Sequence, residues 1–203
     1  MPLVDVDLTS TPRKLPASVR SFLREADRRI ERFQRTSPVP AFVTSDFARS
    51  YCVLNQLARA WATPGTLFCE WGSGFGVVAC LAAMLDFDAC GIEIEAELVD
   101  ASQQLADDFD LPVRFVQGSF IPRGGEACMA AGEDLAWFTL QGDGTHEELG
   151  LAPDDFAVIF AYPWPDEERG MADLFDRYAG AGALLVTYHG GDSIRVRRKT
   201  GEH

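Results

Sequence analysis

Apolar and polar residues follow two different rhythms along this chain. From Ser18 to Gln34 the apolar positions Val19, Phe22, Leu23, Ala26, Ile30 and Phe33 recur at spacings of three and four, with arginines between them. That period predicts an amphipathic helix. Thr36-Ser-Pro-Val-Pro40 breaks it, and a second helix is predicted from Thr44 or Ser45, either of which can cap it, to about Trp61. After the turn at Thr63-Pro64-Gly65 come short, nearly unbroken apolar runs. Strands are predicted at Thr66–Glu70, Asp88–Glu93, Val113–Gln117, Phe156–Tyr162 and Ala183–Tyr188. Helices are predicted between them at Val77–Leu85, Ala96–Phe109 and Glu167–Tyr178. Alternation at these lengths predicts an α/β fold with a doubly wound, mainly parallel sheet covered on both faces.

Two stretches fall outside that rhythm. Residues 1–17 hold three prolines and little periodicity, so they read as an arm. With the first helix they form an N-terminal extension, residues 1–45, ahead of a main domain, residues 46–203. The second stretch is an insert of 36 residues between Ser119 and Phe156, longer than a simple crossover needs. A short helix near Ala127–Ala131 and a strand at Trp137–Leu140 are expected in it. Such an insert serves either as a lid or wall beside the strand ends or as a surface elaboration.

Charge narrows the partners. The 203 residues carry a net charge of −13, yet residues 1–45 hold eight Lys/Arg against five Asp/Glu. A field of that sign repels phosphate backbones, so no nucleic-acid partner is expected. Five cysteines without a CxxC pair predict a reducing, cytoplasmic setting. The longest apolar run, Phe75 to Leu85, is 11 residues and too short to span a bilayer at about 20, so no membrane partner is expected either.

Candidate chemistry gathers at Glu70-Trp-Gly-Ser-Gly-Phe-Gly76, between a predicted strand and a predicted helix. Its glycines permit a tight turn and the close approach of a ligand to backbone N–H groups. The spacing is G-x-G-x-G, not the G-x-G-x-x-G of pyrophosphate-binding turns. An acid, Glu70, precedes the first glycine, and a second, Glu93, ends the next strand. A carboxylate at that second strand end suits two ribose hydroxyls. A carboxylate beside the turn suits a positive ammonium group and repels a diphosphate. Together they describe an adenosine that carries an amino acid.

At these residues the sequence resembles the class I, Rossmann-like S-adenosylmethionine-dependent methyltransferases. The matching segments are Glu70–Gly76, Gly91-Ile-Glu-Ile-Glu95, Val113-Arg-Phe-Val-Gln-Gly-Ser119 and Phe156-Ala-Val-Ile-Phe-Ala-Tyr-Pro-Trp-Pro165, in the family's order over about residues 66–190. The resemblance implies S-adenosylmethionine as cofactor. Its methionine part would lie on Glu70, Gly72, Ser73, Gly74 and Gly76, its ribose on Glu93 with Ile94, and its adenine against Gly118, Ser119 and Phe120. Phe42-Val-Thr-Ser-Asp46 resembles the segment that closes over the methionine end in class I lysine methyltransferases, which adds Thr44. The sequence departs from the family at Ser119, where an aspartate is common, and at Ala157, where an acid is common. After the fifth strand only Ile194–Lys199 offers another strand, which implies a truncated C-terminal hairpin.

Tyr162-Pro163-Trp164 is the candidate transfer site. Prolines stiffen such a loop and leave its carbonyls free, and aromatic faces favour a cation. The segment loosely resembles the Asn/Asp-Pro-Pro-aromatic loop of amino-group methyltransferases, without the acid or amide. The acceptor expected is an amine, on a small molecule or a protein lysine. Glu167 and Glu168 either attract a lysine or other amine or form the acidic start of a helix, and the helix start is the reading taken. His189 is the nominal base or a turn residue, the basic tail Arg195-Val-Arg-Arg-Lys199 an exposed edge strand, and no metal site is predicted. Two alternatives stand beside this one. A nicotinamide-dependent oxidoreductase requires a later third glycine and an apolar residue at position 70, and a non-catalytic relative would bind only the nucleoside or a protein.

Overall fold

The computed structural model describes residues 3–8, 14–37, 39, 42–60, 63, 65–129, 144–191 and 193–201. Seven strands form one sheet: β1 (Leu3–Asp5), β2 (Leu67–Trp71), β3 (Asp88–Glu93), β4 (Arg114–Gln117), β5 (Val158–Ala161), β6 (Leu184–Tyr188) and β7 (Ile194–Lys199). Their spatial order is β1-β7-β6-β5-β2-β3-β4. The pairs β2–β3, β2–β5, β3–β4 and β5–β6 are parallel, while β7 runs antiparallel to both β6 and β1. The doubly wound parallel sheet is as the strand–helix alternation predicts.

Helices cover both faces. On one lie α1 (Ala17–Thr36), α2 (Phe47–Arg59), α3 (Val77–Ala83) and α4 (Ala96–Asp108), whose apolar stripes bury Phe22, Leu54, Val78 and Leu105 with Phe68 and Phe160 of the sheet. On the other lie α5 (Glu126–Met129), α6 (Thr145–Leu149) and α7 (Glu168–Tyr178), which bury Met129, Leu149, Leu174 and Phe175 with Ile92 and Ile159. Strands β5 and β6 are buried from end to end, and β3 along all but its first residue, as expected of strands covered on both faces.

Three expectations are corrected. Residues 3–5 of the expected arm are a strand: Leu3, Val4 and Asp5 pair with Lys199, Arg198 and Arg197, and the Asp5 carboxylate accepts from the Arg195 guanidinium at 2.7 and 3.1 Å. The outer place beside β7 is thus filled from the other end of the sequence. The basic tail is consequently no exposed edge. Strand β7 lies between β6 and β1, and Lys199 is buried with its Nζ donating to Ala179 O, the C-terminal cap of α7 (2.6 Å). A cation there offsets the negative end of the helix. Finally, neither Thr44 nor Ser45 caps α2. The cap is Asp46, whose carboxylate accepts from Arg49 N at 2.9 Å.

The insert is anchored where it is described. Arg114 of β4 donates to Glu148 O (2.6 Å) and Leu149 O (3.2 Å), capping α6, and buried His146 lies 3.0 Å by Nε2 from Phe120 O and 3.3 Å by Nδ1 from Leu151 O. The helix expected near Ala127–Ala131 is present as α5, while the strand expected at Trp137–Leu140 lies outside the described residues.

Candidate functional site

The chain steps from β2 to β3 and β4 on one side of the sheet, then crosses back to β5 on the other. Where the order reverses, the carboxyl ends of neighbouring strands part and leave a crevice, the usual ligand position in such sheets. A cavity of about 720 Å³ opens there. All fourteen residues read from the sequence as candidates fall within or beside it, with Gly76 alone just behind its wall.

The floor is the glycine turn. Ser73 N donates to Ile92 O (2.9 Å) and Gly76 N to Ser73 O (2.7 Å), which stitches the turn to β3. Gly76 caps α3 at φ +68°, and a Cβ there would lie 2.4 Å from the Phe115 ring and 2.7 Å from the Ser102 side chain. Gly74 has φ +53°, and its absent side chain leaves room for the Phe42 ring. The segment with Phe42, Val43 and Thr44 therefore forms the cavity wall above the turn. Thr44 is exposed and on that wall.

Both acids already serve the backbone. Glu70 Oε2 accepts from Ala79 N at 2.8 Å, capping α3 where Gly76 has no side chain to offer. Glu93 Oε2 accepts from Gly74 N (2.7 Å), and Oε1 accepts from Ile94 N (2.8 Å) and Glu95 N (3.1 Å). Burial pushes both carboxyls above their usual range, Glu70 the further, because it outweighs these hydrogen bonds. Glu70 Oε1 has no hydrogen-bond partner among the described residues.

Opposite the turn, Gly118 N donates to Glu93 O (2.8 Å), and Ser119 Oγ accepts from Ile121 N (3.2 Å). Phe120 stacks on Trp71 with ring centroids 5.2 Å apart and planes at 12°. The contact from His146 to Phe120 O ties the insert to this wall. No motif in the sequence marks His146; only the fold brings it beside Phe120.

Beyond β5, Tyr162 packs edge-on against Tyr188 at 4.7 Å, Pro163 is buried, and Trp164 is 45% exposed at the cavity mouth. The two glutamates that follow are more than a helix start. Glu167 is 5% exposed and lines the cavity. Its Oε2 accepts from Trp164 N and its own N–H donates to Trp164 O, both at 2.9 Å, so it fixes the shape of the loop. Burial raises its carboxyl above the usual range. Glu168 turns aside, with Oε1 3.5 Å from Arg195 and Oε2 3.7 Å from His189 Nδ1. His189 starts the Gly190–Gly191 turn between β6 and β7, with Nε2 2.8 Å from Thr187 Oγ1, and burial lowers its pKa toward the neutral ring. All five cysteines are free thiols. Among the described residues no cluster of His, Cys, Asp and Glu could hold a metal, and no helix is long and apolar enough to cross a membrane.

No protein-family model matches the chain, and no curated protein matches it in sequence. Solved structures do match. A methyltransferase from Geobacter sulfurreducens superposes with a TM-score of 0.56 at 13% identity, over 91% of this chain and 98% of that one. The O-methyltransferase from Bacillus cereus in complex with SAH gives 0.52 at 12% identity, over 86% and 66%. Cofactor-bound Rv0187 from MTB gives 0.51 at 16% identity, over 86% and 73%. The fold is that of the class I, Rossmann-like methyltransferases.

Proposed function

We propose that this protein is an S-adenosylmethionine-dependent methyltransferase whose acceptor is an amine. One observation carries the reading: a single cavity joins the glycine turn, Glu70 and Glu93 to the Tyr162–Trp164 loop. Its residues fit the cofactor. Gly72 and Gly74 offer backbone alone, Glu70 keeps Oε1 for an ammonium group, and Glu93 stands at the ribose position with one lone pair of Oε2 uncommitted. Gly118, Ser119 and Phe120 supply the wall for an adenine. The B. cereus and MTB relatives, one in complex with SAH and the other cofactor-bound, support this choice.

When bound, S-adenosylmethionine supplies a methyl group on a sulfonium, already activated for in-line displacement. The chain's own work is alignment and exclusion of water. Tyr162 and Pro163 wall the space between the turn and the mouth, and Trp164 narrows it. Glu70 neutralises the cationic amino-acid end, and Glu93 fixes the nucleoside's rotation. No protein base is needed beyond removal of one amine proton. The amine is supported by the acidic, aromatic mouth, where Glu167 and the Tyr162 and Trp164 rings favour a cation.

Calorimetric titration with S-adenosylhomocysteine beside NAD tests the cofactor. Binding of the first alone is expected; binding of NAD alone, or of neither, would overturn the proposal. Incubation of a cell extract with labelled donor then tests transfer, with label expected on amine-bearing material.

A further inference from the structure

Building on that reading, we infer that the acceptor is an ammonium carried on an apolar stem, held at its nitrogen by Glu167 Oε1 and along its stem by Val43 and Trp164. Three observations converge.

The first is the division between the two glutamates. Glu168 spends its oxygens toward Arg195 and His189. Glu167 uses only Oε2, on Trp164 N, and Oε1 has no hydrogen-bond partner among the described residues. A carboxylate this deeply buried gains from a partner for its second oxygen, and the cavity is where one can enter.

The second is the distribution of exposed apolar side chains. Among the described residues three large ones are exposed, Val4, Val43 and Trp164. Two of the three line this cavity, one from the segment before α2 and one from the loop after β5. An apolar rim costs solubility unless it meets an apolar ligand.

The third is the order of these features. The Trp164 backbone is bonded to Glu167, so the Trp164 side of the rim and the buried acid are held together. A bare ammonium would leave the rim uncovered, and a neutral alcohol would leave the Glu167 carboxylate without a charge partner. A cation on a stem of several carbons, as in a lysine side chain, satisfies both.

In the transfer, the bound ammonium first gives one proton to Glu167 Oε1, from which it passes to solvent, and the lone pair so freed forms the N–C bond. The C–S bond breaks with its electron pair returning to sulfur. The product leaves as the methylated ammonium.

The test is a ligand-observed NMR titration of the full chain saturated with S-adenosylhomocysteine, using n-butylammonium, methylammonium and 1-butanol. The expected order places n-butylammonium tightest. Glu167→Gln, which keeps an oxygen for Trp164 N, should weaken n-butylammonium by roughly 10- to 100-fold, the size of one charge-assisted hydrogen bond. Affinity for S-adenosylhomocysteine should stay within about twofold, because the loop keeps its shape. Equal binding of 1-butanol and n-butylammonium would overturn the inference, as would a Glu167→Gln variant that binds the amine like the parent. If S-adenosylhomocysteine itself fails to bind, the methyltransferase reading falls as well. If it binds but the amine preference is absent, only the acceptor inference falls.

Discussion

Replacing Glu93 with Gln separates the two tasks of this residue. The carboxylate accepts three backbone N–H bonds, from Gly74, Ile94 and Glu95. Charge-assisted bonds contribute about 1.5–3 kcal/mol each, yet burial still raises the group above its usual range, so desolvation is the larger effect. Glutamine offers one oxygen, so its amide nitrogen must face an N–H on one side. At least one buried donor then loses its acceptor, at about 1–3 kcal/mol, and relief of the buried charge returns part of that. A net loss of about 1–2 kcal/mol lowers the melting temperature by roughly 2–8 °C in a chain of this size. The ribose loses a charged partner, which should weaken S-adenosylhomocysteine by roughly 10- to 150-fold. Thermal melts and calorimetry on the same samples read both. If melting falls as expected while affinity is unchanged, Glu93 only stitches the turn and the ribose is held elsewhere.

Other outcomes follow from the same geometry. Gly76→Ala forces a left-handed alanine and a Cβ 2.4 Å from the Phe115 ring, so urea unfolding should show a loss of about 2–4 kcal/mol; an unchanged midpoint would contradict the packing at α3. Burial holds Glu70 well above the usual carboxyl range, so the folded state keeps a proton there that the unfolded chain releases, and the stability this brings is lost as pH rises through the raised value. A cationic ligand favours the ionised form, so its affinity should fall as pH is lowered through that value and binding should release protons; calorimetry in buffers of different ionisation enthalpy would show the opposite if protons were taken up. Removing residues 1–5 deletes β1 and the Asp5–Arg195 pair and bares the edge of β7, so light scattering should show more self-association than in the full chain. Trp164→Ala should reduce methyl transfer more than cofactor affinity in a labelled-donor assay; the reverse split would remove Trp164 from the acceptor side.

The strands and helices of the sheet were legible because buried parallel strands are continuous apolar runs and covering helices carry a strict 3.6 period. The glycine turn was legible because a Gly-x-Gly-x-Gly between a strand and a helix leaves few other uses for its acids. Strand β1 was not. It is three residues long, two of them exposed, and exists because a partner nearly two hundred positions away completes it. The burial of Lys199 follows from that pairing and could not be read from an alternating basic tail. Glu167 looked like a helix start because it is one, and only the fold shows the same side chain bonded to the Trp164 backbone inside the cavity. Glu70 and Glu93 were seen as ligand acids, while their bonds to Ala79 and Gly74 depend on the curvature of the turn.

A crystal structure of the complex with S-adenosylhomocysteine tests the central claim most directly. A ribose hydroxyl should lie within hydrogen-bond distance of Glu93 Oε2, the ammonium beside Glu70, and the sulfur should face Tyr162 and Trp164. A ligand bound with its sulfur turned away from that loop, or bound outside this cavity, would contradict the account.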